Sequence, residues 1–348
     1  METTKVRQSN LELLRIVAMF LVLMVHANFL SLKAPIHEDG IDCFVILKCF
    51  VQSISIVCVN VFILISGYFG IKLKIKSITN FLFQCFFFSI GVYWVLFGFD
   101  NSIHNWRDFL ACFLISKYNW FIAAYLGLLM LSPVFNVFIE RCSCRQLGLF
   151  IIIFFCFSTW FGYIMRTSPE FHGGFSFISF SLLYCIGRFV RLHPILIFSL
   201  NKYFDLGAYV FLSILNTIIA IVVLYYSTQS ILPIYNYNNP IIILSSVSFF
   251  LFFLKLNFQN RVVNWIAASA FAVFLLHVHP LLFPYYCNFV NFFYLHYPIF
   301  TFILIVFFYM IGIFIIAVLI DKCRLWIFRK LYIRCEGYVA KLNKIISL

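Results

Sequence analysis

Uncharged stretches about as long as a bilayer is thick recur along almost the whole chain, and they leave it few folds to choose from. Residues 206–227 and 298–320, for example, contain no Asp, Glu, Lys or Arg. A helix needs about 20 mainly apolar residues to cross the hydrocarbon core. Segments near 11–31, 43–70, 78–99, 119–139, 147–165, 175–192, 206–227, 240–257, 263–287 and 298–320 are read as spans. The run 109–116 is too short to cross and is expected at the membrane interface. The composition, 64% hydrophobic and 11% charged with mean hydropathy +1.01, excludes an ordinary soluble globule, since such domains are about half apolar and about one-quarter charged. The predicted fold class is all-α, a polytopic integral membrane protein with about ten transmembrane helices. The 48 Phe residues then need no aromatic binding surface, because lipid-facing positions take them as filler.

Lys and Arg set the orientation, since they favour cytoplasmic loops. With ten spans and the N-terminus inside, nineteen of the 25 Lys and Arg residues fall on the inner side, Arg188, Arg191, Lys255 and Arg324 among them. Five fall outside (Lys33, Lys48, Arg107, Lys117 and Arg166), and Arg15 lies within the first span. Both termini are accordingly predicted to be cytoplasmic. The net charge of +13 follows from this asymmetry and calls for no nucleic-acid partner. The chain reads as a single transmembrane domain, 1–348, with no internal repeat and no Pro- or Gly-rich linker. Its basic tail, 321–348, is predicted to be a short amphipathic helix on the anionic inner leaflet. The first apolar run lacks a small-residue cleavage site and is expected to stay. Most cysteines, such as Cys58, Cys85, Cys156 and Cys185, sit in apolar runs as small hydrophobes. Cys142-Ser-Cys144 lacks the spacing and the second pair of a zinc site, so no metal is expected.

Glu12, Arg15 and His26 stand inside the first span, where an ionised side chain near the centre costs roughly 2.5–3.5 kcal/mol on insertion scales. Glu12 and Arg15 are three residues apart, share a helix face and can pair. Arg15 and His26 are eleven apart. Eleven steps of about 100° end roughly 20° from three full turns, so both lie on one stripe, about 16 Å apart along the axis. Each has a plain reading: Glu12 and Arg15 as an interfacial ion pair that snorkels to the headgroups, and His26 as a neutral imidazole satisfied by another helix. Together on one face they form a functional candidate, because polar groups inside a membrane mark pathways and sites.

The run Leu11-Glu12-Leu13-Leu14-Arg15-Ile16-Val17-Ala18, followed by Val25-His26, resembles the opening of the acyltransferase-3 family. Those are ten-helix membrane enzymes that acylate bacterial surface sugars, with an Arg and a His separated by ten residues in the first helix. Phe62-Ile63-Leu64-Ile65-Ser66-Gly67-Tyr68-Phe69 is similar to the family's Ser-Gly-aromatic motif. Asn119-Trp120-Phe121-Ile122-Ala123-Ala124-Tyr125, with Leu131-Ser132-Pro133-Val134-Phe135-Asn136, resembles its fourth helix. Phe274-Leu275-Leu276-His277-Val278-His279-Pro280 resembles its ninth. One departure stands out: the better-studied branch carries Arg-x-x-Arg soon after the Ser-Gly motif, where this chain has Lys72, Lys74 and Lys76 at alternate positions.

The resemblance implies a membrane O-acyltransferase with acetyl-CoA or another acyl-CoA as cosubstrate, no tightly bound cofactor, and a surface or lipid-linked glycan as acceptor. It implies residence in the bacterial cytoplasmic membrane. His26 is then the expected base or transient acyl carrier, and Arg15, oriented by Glu12, the expected anchor for the donor's phosphate or pantetheine end. Lys72, Lys74 and Lys76, helped by Arg188, are candidates for holding the donor's phosphates, or else are ordinary positive-inside charges. No acid occupies a helix centre, so the partner of His26 stays open among Asp39, Asp42, Asp100, Asp108 and Glu170. Asn119, Trp120 and Tyr125 are motif positions; the two aromatics either stack on a sugar or belong to the interfacial belt. Ser66 and Gly67, beside Tyr68, are expected to permit close helix approach rather than to supply a nucleophile. His277 is preferred over His279 for the cavity. The competing classes are a glycan or metabolite transporter or flippase, for which Pro133, Pro280 and Pro284 offer helix breaks, and a non-catalytic scaffold, which leaves Arg15 and His26 without a purpose.

Overall fold

Every element among the described residues is helical, as expected where lipid offers the backbone no hydrogen-bond partner. A computed structural model describes residues 7–99, 106–110, 112, 120–194 and 196–346. Helix α1 (Ser9–Val25) runs on into a π-helical segment, His26–Leu30. Helices α2 (Cys43–Ser55) and α3 (Cys58–Phe69) follow as one bent rod, then α4 (Ile75–Phe97), the short α5 (Trp106–Leu110), α6 (Trp120–Arg141) and α7 (Cys144–Phe157). The order continues with α8 (Phe177–Leu192), α9 (Lys202–Tyr226), α10 (Pro240–Leu254), α11 (Arg261–Ala267), α12 (Ala270–His277), α13 (Phe283–His296) and α14 (Ile299–Ile346).

Among the described residues, eight helical stretches are long and apolar enough to cross a membrane: Ser9–Leu30, Cys43–Phe69, Ile75–Phe97, Trp120–Arg141, Cys144–Ile164, Lys202–Tyr226, Leu232–Leu254 and Ile299–Arg334. The chain is thus an all-α polytopic membrane protein. Two expected spans take another form. Residues 175–192 hold α8, which has only 16 residues. Residues 263–287 are not one rod, because the chain leaves helical geometry between α12 and α13. Pro280 lies in that gap and lacks the N–H that a continuing helix needs. The basic tail also differs from expectation: it is no separate helix but the continuation of the 48-residue α14, since nothing from 321 to 346 breaks it. Of the expected interfacial run 109–116, only residues 109, 110 and 112 lie within the described residues.

Helix starts follow local chemistry. The Asp42 side chain accepts from Val45 N–H at 2.7 Å to begin α2. Ser143 and Gln146 form a reciprocal capping box at α7, and Asn239 caps α10 just ahead of Pro240. Each satisfies backbone donors that the first turn leaves unpaired.

The chain divides into two compact units. The first holds residues 1–71 and 123–268, and its helices pack as α1 on α2, α3, α10 and α11, α3 on α8 and α10, and α9 on α2 and α10. Asp205 of α9 and Lys255, just past α10, form a half-buried ion pair at 2.5 Å. The second unit holds residues 72–122 and 269–348, where α14 packs on α4, α12 and α13. Inside it, Asp321 and Arg324 of α14 are fully buried. The Asp321 Oδ1 accepts from Arg324 Nε at 2.7 Å and from Gln84 Nε2 at 2.9 Å. Arg324, expected among the inner loop cations, is therefore an internal strut.

Candidate active site

The first unit builds its site from the start of α1. Ser9 is buried, its Oγ accepting from Asn260 N–H at 2.9 Å, and Asn10 Nδ2 donates to the carbonyls of Phe253 and Leu254. These bonds fix the rotation of α1. On the stripe that carries Arg15 and His26, Leu11, Ala18, Met19 and Val22 are all buried; each lies within about 60° of Arg15 around the axis. The stripe faces protein, yet the Arg15 side chain keeps 33% exposure and His26 is half-buried. Arg15 Nη1 lies 3.1 Å from both carboxylate oxygens of the buried Glu12. The pairing expected from their spacing is present. At His26 the helix widens into the π-segment, a local irregularity found often at functional sites, and the His26 carbonyl accepts from Ser31 Oγ at 2.8 Å.

Three guanidinium groups converge on the last residues of α3 and the glycine that ends it. Arg15 lies with its Cζ 5.7 Å from the centre of the Phe69 ring, within cation–π range. Arg191 donates to the Tyr68 hydroxyl at 2.9 Å. Arg188 lies so close to Gly70 that a Cβ there would meet its Nη1 at 2.8 Å, and Gly70 has φ +71°. The positive φ calls for a glycine, whereas the tip of the Arg188 side chain can swing aside. The carbonyl end of a helix favours cations, and Arg188 stands there with little compensation. Arg188 Nη2 is 3.6 Å from a Glu140 carboxylate that is mostly solvent-exposed, and Arg188 Nε is buried with no hydrogen-bond partner. Such a cluster suits a phosphate or another anion.

Below it, one closed ring of hydrogen bonds pins Ile71. Its N–H donates to the Tyr184 hydroxyl at 2.9 Å, Tyr184 donates to Asn136 Oδ1 at 2.7 Å, and Asn136 Nδ2 donates to the Ile71 carbonyl at 2.8 Å. The ring holds the chain where Lys72 follows. Ser66 Oγ donates to the Phe62 carbonyl within its own helix at 2.9 Å. A Cβ on Gly67 would lie 2.4 Å from the Tyr184 carbonyl oxygen, so the close helix approach expected there is present.

Towards the other end of α3, Asn60 Nδ2 donates to the Tyr237 carbonyl at 3.0 Å. Asn60 Oδ1 and both amide atoms of Asn238 are buried without a hydrogen-bond partner. Buried amides of this kind call for a water or a ligand hydroxyl. Asn28, within the π-segment, donates to the Lys48 carbonyl and to Gln52 Oε1.

The remaining expected residues are distributed as follows. Lys72 and Lys74 are exposed and belong to the second unit, as does Lys76, whose Nζ lies 4.7 Å from the Tyr332 ring centre. Trp120 and Tyr125 of α6 are half-buried. In the second unit His277 is buried, its ring Nδ1 2.6 Å from the Val273 carbonyl, and His279 Nε2 is 2.9 Å from the Ser89 carbonyl. Asn119 and Asp100 lie outside the described residues, as does the side chain of Asp108. Asp39 and Asp42 are engaged in local caps, and Glu170 is exposed. Among the described residues no group of three or more His, Cys, Asp or Glu side chains has the arrangement of a metal site. Sequence reasoning missed Arg191, Tyr184 and Asn238. The signals were an Arg-x-x-Arg spacing within one apolar helix and an Asn-rich stretch, Asn236-Tyr237-Asn238-Asn239, in a greasy chain.

No curated protein and no solved structure matches the chain. The acyltransferase-3 family model, described as an acyltransferase domain, matches residues 8–322. That match runs from just before α1 into α14 and takes in the arginines at the end of α3, and on it the chain belongs to the acyltransferase-3 family, a superfamily of membrane acyltransferases.

Proposed function

We propose that the protein transfers an acyl group, in the simplest case acetyl, from cytosolic acyl-CoA to a sugar hydroxyl of a surface or lipid-linked glycan. The observation that carries this reading is the α1 stripe: Arg15 and His26 stay accessible on a face whose other residues are buried in protein. That combination suits a polar pathway and neither a lipid-facing helix nor a dry core. In this reading His26 takes the proton of the acceptor hydroxyl as its oxygen attacks the thioester carbonyl. The C–S bond breaks as the ester C–O bond forms, and the proton passes to the departing CoA thiolate. General-base help of this kind is typically worth about 10²–10⁴-fold.

Arg15, held by Glu12, and the pair Arg188 and Arg191 bind the donor's phosphates. This pair from α8 provides, at the Ser66-Gly67-Tyr68 motif, the Arg-x-x-Arg chemistry that the following loop lacks. Tyr125 of α6, half-buried, is assigned to the acceptor path. We place both termini in the cytoplasm of a bacterial cell, with ten crossings in one functional domain, on the strength of the Lys and Arg asymmetry.

The test is transfer of radiolabel from acetyl-CoA to cell-surface glycan by the reconstituted protein. Wild type is expected to label the glycan and His26→Ala to lose at least 100-fold in rate, the low end of the general-base range. Equal labelling by both removes His26 from the mechanism. Movement of unmodified glycan with no label transferred favours the transporter instead.

A further inference from the structure

Past residue 322, where the family match ends, α14 lines a groove of about 740 Å³ with the start of α4. Lys76 and Asn80 contribute from α4, and Trp326, Arg329, Tyr332 and Ile333 from α14. No carboxylate is among its lining residues. Lys330 adds a further charge at the rim, its Nζ 3.7 Å from the Trp326 ring centre. The groove has a fixed floor: Asn80 Oδ1 accepts from the buried Arg324 Nη1 at 2.6 Å, and Arg324 is in turn bound to Asp321. Its geometry therefore derives from a buried polar network and not from a loosely placed tail.

We propose that this groove holds the phosphate headgroup of an anionic phospholipid, with the acyl chains lying along the apolar wall of α14. Three features select a lipid over a soluble phosphate. The groove lies where α14 passes from its apolar run to a basic one (Arg324, Arg329, Lys330 and Arg334), the place where a spanning helix meets headgroups. Trp326 and Ile333 are 60% and 61% exposed, and acyl chains cover such surface whereas a nucleotide or inorganic phosphate does not. A tryptophan flanked by cations is also the usual anchor at that depth. The site is distinct from the arginines at the end of α3, and its occupant would anchor the far end of the last helix.

The experiment is lipid retention by the full-length protein, released from nanodiscs of equal phosphatidylglycerol and phosphatidylcholine and read by native mass spectrometry. Wild type is expected to retain phosphatidylglycerol preferentially. Arg329→Gln is expected to lower that retention about fivefold, the equivalent of ~1 kcal/mol for one basic residue at the surface. Trp326→Ala, which leaves every charge in place, should lower it as well. Arg334→Gln removes one charge that does not line the groove, and a headgroup held inside the groove should feel its loss less than the loss of Arg329, by under about twofold. Equal loss in Arg329→Gln and Arg334→Gln would reduce the effect to diffuse tail charge and overturn the proposal. Equal retention of the two lipids would do the same. So would displacement of phosphatidylglycerol by inorganic phosphate at matched ionic strength, which would assign the groove to a soluble anion.

Discussion

Gly67 and Gly187 pack against one another's helix backbone where α3 crosses α8. A methyl group on Gly187 would fall 2.8 Å from the Tyr68 nitrogen, and one on Gly67 would fall 3.0 Å from the Tyr184 Cα. Both contacts involve backbone, which cannot rotate away, so either methyl forces the helices apart. Overpacking of this kind costs about 1–3 kcal/mol. Gly187→Ala and Gly67→Ala should each lower the thermal midpoint of the detergent-solubilised protein. Gly207→Ala is the control: its Cβ would meet nothing within 4 Å, and exchanging a helical Gly for Ala tends to stabilise. Midpoints that fall equally in all three would remove the crossing as the cause.

The Glu12–Arg15 pair separates binding from chemistry. Glu12→Gln keeps the shape but removes the charge that orients Arg15 at 3.1 Å. Arg15 is one-third exposed, so water compensates in part and the fold should survive. The expected result is a rise of about tenfold in KM for acyl-CoA, equivalent to ~1.4 kcal/mol, with kcat changed much less. Steady-state kinetics at saturating acceptor decide it. A fall in kcat at constant KM would move Glu12 from donor anchoring to the reacting atoms.

Tyr184→Phe leaves the Ile71 N–H and Asn136 Oδ1 without the hydroxyl that now joins them. Each polar group stranded in this way costs about 1–3 kcal/mol if it stays dry. Because the ring holds the chain just before Lys72, the loss should show first as local opening there. Limited trypsin digestion is expected to cleave after Lys72 or Lys74 faster in the variant than in wild type, with cleavage elsewhere unchanged. Identical rates would mean that the ring does not restrain this segment.

How far these arrangements were legible from residue order depends on the range of each interaction. The Glu12–Arg15 pair and the α1 stripe come from spacings within one helix, where 3.6 residues per turn decides which side chains share a face. The partner of Gly67 was invisible, because Gly187 is 120 residues away and only the crossing of two helices brings them together. Arg188 was already a candidate phosphate ligand and Arg191 looked like a loop charge of the positive-inside kind, but nothing local revealed that they reach Gly70 and Tyr68. Pro280 marked a helix break, yet its effect on the expected 263–287 span needed the fold to appear. Arg324 was the clearest misreading. Charge in a tail after an apolar run suggests solvent, but the Asp321 three residues earlier already offered the pairing that lets it be buried.

That buried pair gives the sharpest stability test. Asp321 and Arg324 are 0% and 1% exposed, and Asp321 Oδ2 has no hydrogen-bond partner. Removing one partner strands a charge in a dry site, which typically costs 3–5 kcal/mol. Arg324→Met should therefore leave little folded protein, and Asp321→Leu should do the same. Replacing both at once removes the charges together with the Coulomb attraction, and such exchanges are often neutral or stabilising by ~1–4 kcal/mol. The double variant Asp321→Leu with Arg324→Met should thus recover much of the folded yield that each single change loses, measured by size-exclusion profile and thermal midpoint. The recovery will be incomplete, because Gln84 Nε2 and Asn80 Oδ1 lose the partners they now have at 2.9 and 2.6 Å. If the double variant is no more stable than the worse single one, the stability of this region depends on the Gln84 and Asn80 contacts more than on charge compensation within α14.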